Sequence, residues 1–251
     1  MGTKDNPARA MILAAGAGTR LKPLTIKTPK ALLPIDGTPL IVHQIGWLKS
    51  WGISQVAINL HHLGIKIKEF LGDGSRFGVK ITYSPEEILL GTAGGVKRME
   101  SLFTETFVVL YGDVLTDFNL GNLIKFHRTK KSIATLALIE VNNAENVGVV
   151  EIDEKGRVKS FIEKPRGNYK TKALGNGGVY VLEKDIFNYI PREGFSDFAY
   201  NTFPDLIKYN MPLYGYVLDT GSYLLDIGIM DNYQKANGDV KAGKVKVRHE
   251  L

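Results

Sequence analysis

The feature that most constrains the fold is the alternation of short apolar, β-branched runs with longer amphipathic segments over the first two-thirds of the chain. This pattern predicts strands at residues 10–15, 55–60, 80–83, 107–111 and 133–139, and helices at residues 40–51, 65–71, 96–102 and 120–129. Strands that alternate with helices indicate a mostly parallel sheet with helices on both faces. The run from Phe107 to Tyr111 is apolar at every position, as a strand buried on both faces should be.

The regular alternation of predicted strands and helices ends after residue 140. Residues 147–152 and 158–163 flank the turn sequence Asp153-Glu-Lys-Gly156, which predicts an antiparallel hairpin. Further strands are expected at residues 177–182 and 213–218, and helices at residues 186–190, 199–209 and 229–236. Because the sequence contains no linker or repeat, we expect one α/β domain with a β-rich insertion that carries a second substrate pocket.

Composition narrows the classes of function. The 251 residues include no cysteine, which excludes disulfides, thiolate zinc sites and cysteine nucleophiles. No stretch is long and apolar enough for a transmembrane helix, and the N-terminus lacks a signal-peptide core, so a cytoplasmic protein without a membrane partner is expected. The net charge of +6 suits polyanionic partners. The basic residues are scattered, so small phosphorylated substrates are favoured over nucleic acid.

A glycine-rich loop follows the first strand in Leu13-Ala-Ala-Gly16-Ala-Gly18-Thr19-Arg20-Leu21. Two glycines let the backbone approach an anion and direct N–H groups at it, and Arg20 adds a planar fork of donors. The spacing fits neither the dinucleotide-binding pattern nor a Walker loop. With Lys30 following in Thr28-Pro29-Lys30, the loop predicts an anion-binding site.

The same stretch, continued through Leu21-Lys-Pro-Leu-Thr25 and Pro29-Lys30-Ala-Leu-Leu-Pro34, resembles the signature of the nucleoside-diphosphate-sugar pyrophosphorylases. The resemblance implies a glycosyltransferase-A-like, Rossmann-like α/β fold and transfer of a nucleotidyl group to a sugar 1-phosphate. In this family the loop and Arg20 hold the triphosphate, and Lys30 contacts phosphates of the reacting pair. The implied nucleotide-binding residues of the loop are Leu13, Ala14, Ala15, Gly16, Gly18 and Thr19.

Two aspartates follow apolar runs, Asp113 in Leu110-Tyr-Gly-Asp113 and Asp226 in Leu225-Asp226-Ile-Gly228. The carboxyl end of a parallel strand is where α/β sheets place their ligands, and two carboxylates can hold Mg²⁺. A lone aspartate after a strand is more often a helix cap. The resemblance decides for metal, because both positions match family Mg²⁺ ligands, with Asp113 also catalytic beside Arg20 and Lys30. The residues around Asp226 depart from the usual family pattern Trp-Leu-Asp-Ile-Gly-Thr-Pro.

The resemblance also extends to the β-rich insertion. Gly148 in Val147-Gly-Val-Val150, Glu163 and Lys164 in Glu163-Lys-Pro165, and Asn176 match the segments that bind the sugar phosphate in the family. A carboxylate can accept hydrogen bonds from two vicinal sugar hydroxyls, and a lysine can pair with the phosphate.

The segment Leu90-Gly91-Thr92-Ala93-Gly-Gly95 resembles the base-binding loop of guanylyltransferases that act on mannose or heptose 1-phosphate. It therefore implies that Gly91, Thr92 and Ala93 contact the nucleotide. On residues alone, a helix start capped by Thr92 is an equal alternative.

The predicted organisation is a single domain, 1–251, in which residues 1–140 bind the nucleotide, 141–228 bind the sugar phosphate, and 229–251 form a C-terminal helix and tail. GTP with mannose 1-phosphate or a manno-heptose 1-phosphate is the favoured pair, and family members commonly form homo-oligomers. Three alternatives stay open at this point: a uridylyl- or thymidylyltransferase using glucose or amino-sugar 1-phosphate, a non-catalytic nucleotide-sugar sensor, and a cytidylyltransferase, which the segments around Glu163 and Asp226 disfavour.

Overall fold

The structure, a computed structural model, describes residues 7–142, 147–165 and 172–247. The strands are β1 (Arg9–Leu13), β2 (Pro34–Ile35), β3 (Thr38–Pro39), β4 (Gln55–Leu60), β5 (Lys80–Pro85), β6 (Phe107–Tyr111), β7 (Val114–Thr116), β8 (Ala134–Val141), β9 (Gly148–Ile152), β10 (Val158–Glu163), β11 (Ala173–Leu182), β12 (Leu213–Val217) and β13 (Leu224–Asp226). The α-helices are α1 (Leu40–Ser50), α2 (Gly64–Leu71), α3 (Gly91–Lys97), α4 (Leu120–Lys130), α5 (Phe203–Lys208) and α6 (Met230–Lys241). The mixed α/β class predicted from the sequence is confirmed.

The chain divides into two compact units, each built from segments that are distant in the sequence. The first contains the described parts of Met1–Leu89, Val109–Asn119 and Gly221–Leu251, and the second those of Leu90–Val108 and Leu120–Thr220. The predicted boundaries at residues 140 and 228 concern substrate roles and stay predictions. The last four residues of the predicted tail, 248–251, lie outside the described residues.

The first unit is built on parallel strands. β4 pairs in parallel with both β1 and β5, with Leu13 opposite Asn59 at the carboxyl end. Gly112, just after β6, donates its N–H to the carbonyl of Leu13 (2.9 Å), so β1 and β6 also end at the same edge. Loops that follow these strands therefore gather at one edge, where α/β sheets bind ligands.

Apolar packing holds the short strands of this unit in place. Leu115 of β7, Ile227 after β13 and Ala236 of α6 share one buried cluster with Ile35 and Leu40. Trp47 of α1 packs against Phe118 at 5.2 Å between ring centroids and donates its indole N–H to the Phe118 carbonyl. This core fixes the turn between β6 and β7, which carries Asp113.

The second unit is mostly antiparallel. The predicted hairpin is confirmed, because β9 and β10 pair in antiparallel register with Gly148 opposite Glu163. β11 pairs antiparallel with β8 and with β9, and β12 adds to β8 in parallel. The strand predicted at residues 177–182 begins earlier, at Ala173.

Several predicted helices are wrong in their bounds. The helix expected at residues 96–102 is α3, which begins at Gly91, followed by a 3₁₀ turn at Glu100–Leu102. Glycines are poor helix formers, but tertiary hydrogen bonds to Ser196 hold this start in place. The helix expected at 199–209 is a π-helical turn, Phe198–Thr202, continued by α5, and the one expected at 186–190 is a 3₁₀ helix, Lys184–Tyr189.

No helix among the described residues is long and apolar enough to cross a membrane.

Candidate functional site

The glycine-rich loop after β1 presents its backbone outward. Within the described part of the chain, the N–H groups of residues 16–19 have no protein acceptor. Gly16 is exposed, and a Cβ built there would meet no atom within 4 Å. Consecutive N–H groups without protein partners form a concavity that suits anions.

The loop is held in this shape from behind. Gly18 has a left-handed backbone (φ 62°), and a Cβ there would lie 2.9 Å from Thr25 Cγ2. The Thr25 hydroxyl donates to the Gly18 carbonyl at 2.8 Å. Glycine is therefore required at this position by both conformation and contact.

The start of the loop is anchored to the neighbouring strand. The Ala14 N–H donates to Asn59 Oδ1 at 2.8 Å, and Asn59 Nδ2 donates to the buried carboxylate of Glu86 at 2.8 Å. Asn59 is a polar residue in the otherwise apolar end of β4, which is the signal that could have identified it.

Lys30 and Asp113 form an ion pair, joining Lys30 Nζ to Asp113 Oδ2 across 83 residues of sequence. The side chains are 17% and 15% exposed, respectively, so water screens the pair only in part. Lys30 lies in the 3₁₀ turn Lys30–Leu32, and Asp113 lies in the turn between β6 and β7.

Asp226 lies beside Asp113 because β13 pairs with β7. Asp226 is opposite Val114 in this ladder, and the Ile227 N–H donates to the Asp113 carbonyl at 2.8 Å. Burial and the negative charge of Asp113 raise the pKa of Asp226 to about 6, against the opposing effect of the Gly228 N–H, Lys30 and Arg20. A pair of carboxylates that repel each other is a donor set suited to a divalent cation.

Arg20 completes this cluster in the first unit. A Cβ built on Gly228 would lie 2.8 Å from Arg20 Nη2 and 2.7 Å from Asp226 Oδ1, so the guanidinium and the carboxylate flank the same glycine. Arg20 itself is exposed. The structure thus brings together Arg20, Lys30, Asp113 and Asp226, which come from three separate segments of the sequence.

A buried glutamine braces the turn that carries Asp113, and sequence reasoning missed it. Gln44 Nε2 donates to the carbonyls of Tyr111 (2.9 Å) and Val114 (2.8 Å), on either side of Gly112 and Asp113. Gln44 is 2% exposed, in the middle of an apolar helix. A polar residue at such a position was the available signal.

The base-loop residues Gly91, Thr92 and Ala93 belong to the second unit and form the first turn of α3. Gly91 has φ 78°, and a Cβ there would lie 2.3 Å from the Ser196 carbonyl oxygen. The Thr92 hydroxyl does not cap its own helix but donates to Asp197 Oδ2 at 2.8 Å. The capping alternative for Thr92 is therefore wrong.

Glu163 and Gly148 face each other across the β9–β10 hairpin. A Cβ on Gly148 would lie 2.6 Å from Glu163 Oε2 and 2.8 Å from the Phe161 ring. Burial raises the pKa of Glu163, the neighbouring Lys164 lowers it, and the charge of Asp197 raises it further. The carboxylate is thus packed into a site that only a glycine opposite can accommodate.

Lys164 follows β10 with a left-handed backbone (φ 45°), which is uncommon for a residue with a side chain. Its Nζ lies 3.5 Å from Glu163 Oε1 and its side chain is 52% exposed. Strained backbone of this kind occurs often where a side chain must be aimed at a ligand.

Asn176 of β11 is held by its own strand. Its Nδ2 donates to the Tyr180 hydroxyl at 2.8 Å, and its Oδ1 accepts from the Gly178 N–H at 3.2 Å. Of the predicted sugar-phosphate residues in the second unit, Gly148 thus lies against Glu163 and Glu163 contacts Lys164, while the hydrogen bonds of Asn176 run to residues of its own strand.

No group of three or more histidine, aspartate or glutamate side chains able to hold a metal occurs in the described ranges. The residues that could hold a cation are the pair Asp113 and Asp226, which leaves most coordination positions to groups from outside the protein.

Comparisons with known proteins identify relatives of this chain. The chain is 35% identical over 252 residues to the UTP–glucose-1-phosphate uridylyltransferase of Synechocystis sp., covering 95% of this chain and 64% of that protein. It is 34% identical over 227 residues to the D-glycero-alpha-D-manno-heptose 1-phosphate guanylyltransferase of Campylobacter jejuni, covering 90% of this chain and 96% of that protein. The chain thus spans less than two thirds of the length of the first relative.

A solved structure is similar to this chain over most of its length. HddC from Yersinia pseudotuberculosis, crystallised in complex with GMP-PN, superposes with a TM-score of 0.78 at 26% identity, covering 93% of this chain and all of that chain. The family model described as nucleotidyl transferase matches residues 9–243. The match spans the loop after β1, both aspartates and the β9–β10 hairpin, and the chain belongs to the nucleotidyl transferase family.

Proposed function

We propose that this protein transfers a nucleotidyl group from a nucleoside triphosphate to a sugar 1-phosphate, giving a nucleoside-diphosphate sugar and pyrophosphate. The observation that carries the proposal is the cluster of Arg20, Lys30, Asp113 and Asp226 beside a loop whose N–H groups find no acceptor among the described residues. Cations, carboxylates and exposed amides in one cluster are what a triphosphate with a divalent cation requires.

The triphosphate binds the loop of residues 13–19. The N–H groups of residues 16–19 donate to phosphate oxygens, and Arg20 adds a planar pair of donors. Lys30 neutralises charge on the reacting phosphates. Since Lys30 is paired with Asp113 in the protein alone, it is held in place before the substrate arrives.

The donor set of Asp113 and Asp226 fits Mg²⁺, which takes one or two carboxylates and fills its other positions with phosphate oxygens and water. Bound there, the ion would supply positive charge against the negative charge that builds on the transferring phosphoryl group. Asp113 and Asp226 would hold it, and Lys30, beside Asp113, would contact the phosphates.

The sugar phosphate binds the residues around the β9–β10 hairpin. Glu163 accepts hydrogen bonds from sugar hydroxyls, Lys164 pairs with the phosphate, and the Asn176 amide contacts a further hydroxyl. The exposure of Lys164 supports this role, because an anion can reach its ammonium group, which also lies 3.5 Å from Glu163 Oε1.

The reaction is an in-line attack of a sugar-phosphate oxygen on the α-phosphorus. The new P–O bond forms as the bond from the α-phosphorus to the bridging oxygen breaks, and pyrophosphate leaves. A phosphate monoester has a second pKa near 6 and is mostly dianionic at neutral pH, so no general base is needed. Catalysis then comes from orienting two anions that repel each other and from fixed positive charge.

GTP is the favoured triphosphate, with a manno-configured sugar 1-phosphate as acceptor. The names of the Campylobacter relative and of the GMP-PN complex support this choice. The Synechocystis relative, named for UTP and glucose 1-phosphate, supports the second candidate, a uridylyltransferase. The proposed enzyme needs no nucleic acid or membrane partner.

The experiment is a matrix of the five common nucleoside triphosphates against mannose, manno-heptose, glucose and amino-sugar 1-phosphates, read by pyrophosphate release with and without Mg²⁺. We expect the fastest turnover with GTP and a manno-configured acceptor. Fastest turnover with UTP or dTTP and a gluco-configured acceptor would replace the substrate pair, and no Mg²⁺-dependent turnover with any pair would overturn the enzyme in favour of a sensor.

A further inference from the structure

Residues 194–198 clamp the first turn of α3, the turn that carries the base-loop residues. The Ser196 N–H donates to the Leu90 carbonyl (2.8 Å), and the Gly94 N–H donates to the Ser196 carbonyl (2.9 Å). Gly91 lies so close to the Ser196 carbonyl that no side chain fits between them. These two short segments of the second unit are therefore held together as one piece.

A side-chain bond closes this clamp. Thr92 Oγ1 donates to Asp197 Oδ2 at 2.8 Å and accepts from the Phe198 N–H at 2.9 Å. Asp197 Oδ1 accepts from the Ala199 N–H at 2.8 Å, so the same carboxylate caps the turn Phe198–Thr202. The position of Asp197 is thus set partly by the base loop and partly by the turn it begins.

The capped turn packs directly on the strand that carries Asn176. The rings of Phe198 and Phe203 lie 5.6 Å and 5.1 Å from the Tyr180 ring, in edge-to-face contact. The Tyr180 hydroxyl accepts from Asn176 Nδ2. A shift of Phe198 would therefore reach the Asn176 amide through one tightly packed ring.

A second line of contacts leads to Glu163. Phe203 packs on Phe161 of β10 at 5.6 Å, and the Phe161 ring fills the space over Gly148, opposite Glu163. The charge of Asp197 is also close enough to Glu163 to contribute to the raised pKa of that carboxyl, of which burial is the main cause. Asp197 is thus tied both to the base loop and to the sugar-phosphate residues.

We propose that the hydrogen bond between Thr92 and Asp197 couples the two substrates, so that nucleotide bound at residues 91–93 raises the affinity of the Glu163 site for sugar phosphate. The inference rests on the proposed function, and Thr92 and Asp197 act in it as positioning residues. A base held against the first turn of α3 fixes Thr92, which fixes Asp197 and the packed turn behind it. The second substrate then meets a site that is already ordered. The coupling is reciprocal in binding free energy.

The test measures that coupling in the absence of turnover. Isothermal titration gives the Kd of the sugar 1-phosphate with and without a saturating α,β-methylene analogue of the accepted triphosphate, in the presence of Mg²⁺. The ratio of the two Kd values is the coupling factor, and for the wild-type protein we expect at least about fivefold. Thr92→Val should bring the factor close to 1, and Thr92→Ser, which keeps the hydroxyl, should retain it.

Steady-state kinetics supply a readout that general loosening would not reproduce. At saturating nucleotide, Thr92→Val should raise the KM for sugar phosphate by about the lost coupling factor, with a smaller change in kcat. Thr92→Ser should restore the KM. A fall in the kcat of Thr92→Val with an unchanged KM for sugar phosphate would overturn the inference.

The outcomes separate the two proposals. A wild-type factor of 1, or an unchanged factor in Thr92→Val, overturns the coupling while turnover in the substrate matrix keeps the proposed function. No turnover with any pair overturns the function.

If Thr92→Val does not fold, the variant Asp197→Ser provides the test, because serine still caps a helical turn but is too short to reach Thr92. A wild-type factor in that variant overturns the inference.

Discussion

At the scale of single residues, the cluster in the first unit is a balance of close charges. Asp113 pairs with Lys30, Asp226 is buried beside Asp113, and Arg20 lies over Gly228. Lys30 and Arg20 oppose the burial of Asp226 and its repulsion by Asp113, since an unpaired buried charge is costly. The central member is Asp113, because it contacts Lys30 and influences Asp226.

Replacing Asp113 tests its role. Asp113→Asn keeps the size of the side chain but removes the charge that would hold Mg²⁺ and orient Lys30. We expect turnover, read by pyrophosphate release, to fall by roughly a hundredfold or more, because losing one preorganised electrostatic contact has that effect in many enzymes. The circular dichroism spectrum should be unchanged.

The matched control is Asp73→Asn. Asp73 accepts from the Ser75 N–H at 2.9 Å in an exposed turn, where asparagine serves equally well. This variant should retain wild-type turnover. Equal turnover in Asp113→Asn and the control would contradict a role for Asp113 in catalysis.

Motif position was enough to identify the residues of this cluster but not those that brace them. Asp113 and Asp226 each follow an apolar run, and Arg20 and Lys30 lie in one continuous signature. Gln44 has its partners 67 and 70 residues away, and the Thr92 hydroxyl donates to a residue 105 positions away. No local pattern reports such contacts, because they depend on how strands and helices pack.

At the scale of elements, the two three-residue strands β7 and β13 position the carboxylates of the site. β7 and β13 are too short to stand out in the sequence, yet their ladder is what brings Asp226 to Asp113. The strands β1, β4 and β6 were predictable from apolar runs, since each is buried along most of its length. The short strand β7 depends on the turn that connects it to β6, and Gln44 braces this turn.

Removing that brace should weaken both stability and activity. Gln44→Met leaves the two carbonyl oxygens without their side-chain donor, and we expect the free energy of unfolding in urea to fall by about 2 kcal/mol. Turnover should fall too, because the Asp113 turn is no longer held. The control Gln234→Met, on an exposed position of α6, should change stability by less than about 0.5 kcal/mol. A stable, fully active Gln44→Met would refute the bracing role.

The C-terminal helix α6 has its own electrostatic attachment. Asp239 is 5% exposed and accepts from Lys235, from Lys244 Nζ (3.1 Å) and from the Tyr223 hydroxyl (3.1 Å). The bonds to Lys235 and Lys244 lower the pKa of Asp239 from 3.8 to about 2. A carboxyl with a lowered folded-state pKa stabilises the protein above its unfolded pKa, and this contribution is lost as the pH falls through the folded value.

The corresponding prediction is a pH-dependent effect of Asp239→Asn. The variant should unfold at lower urea concentration than the wild type at pH 7. The difference should shrink as the pH falls from about 4 toward 2, where the wild-type carboxyl becomes protonated. Asp36→Asn is the control, because Asp36 is exposed and has a left-handed backbone conformation that asparagine also adopts readily. A difference that stays constant with pH would show that the contacts of Asp239 do not depend on its charge.

At the scale of the whole molecule, a net charge of +6 suits a protein whose proposed substrates are both anions. We expect most of the binding energy for such ligands to come from the phosphates and not from the base, since the proposed ligands of the loop amides, Arg20 and Lys30 are phosphate oxygens. A ligand that binds only the folded protein stabilises it by an amount set by its concentration relative to Kd. Thermal stability therefore reports on which part of the nucleotide the protein holds.

The accepted triphosphate with Mg²⁺, at a hundred times its Kd, should add about 2.7 kcal/mol to the free energy of unfolding. For a chain of this size that corresponds to a melting temperature higher by roughly 5–11 °C. The nucleoside without phosphates, at the same concentration, should give a much smaller rise in differential scanning fluorimetry. Asp113→Asn should lose the part of the rise that Mg²⁺ adds and keep the part seen with EDTA, because the loop amides and Arg20 are intact. Equal rises with nucleoside and triphosphate would contradict the assignment of residues 16–19 to the phosphates, since the base would then carry the binding by itself.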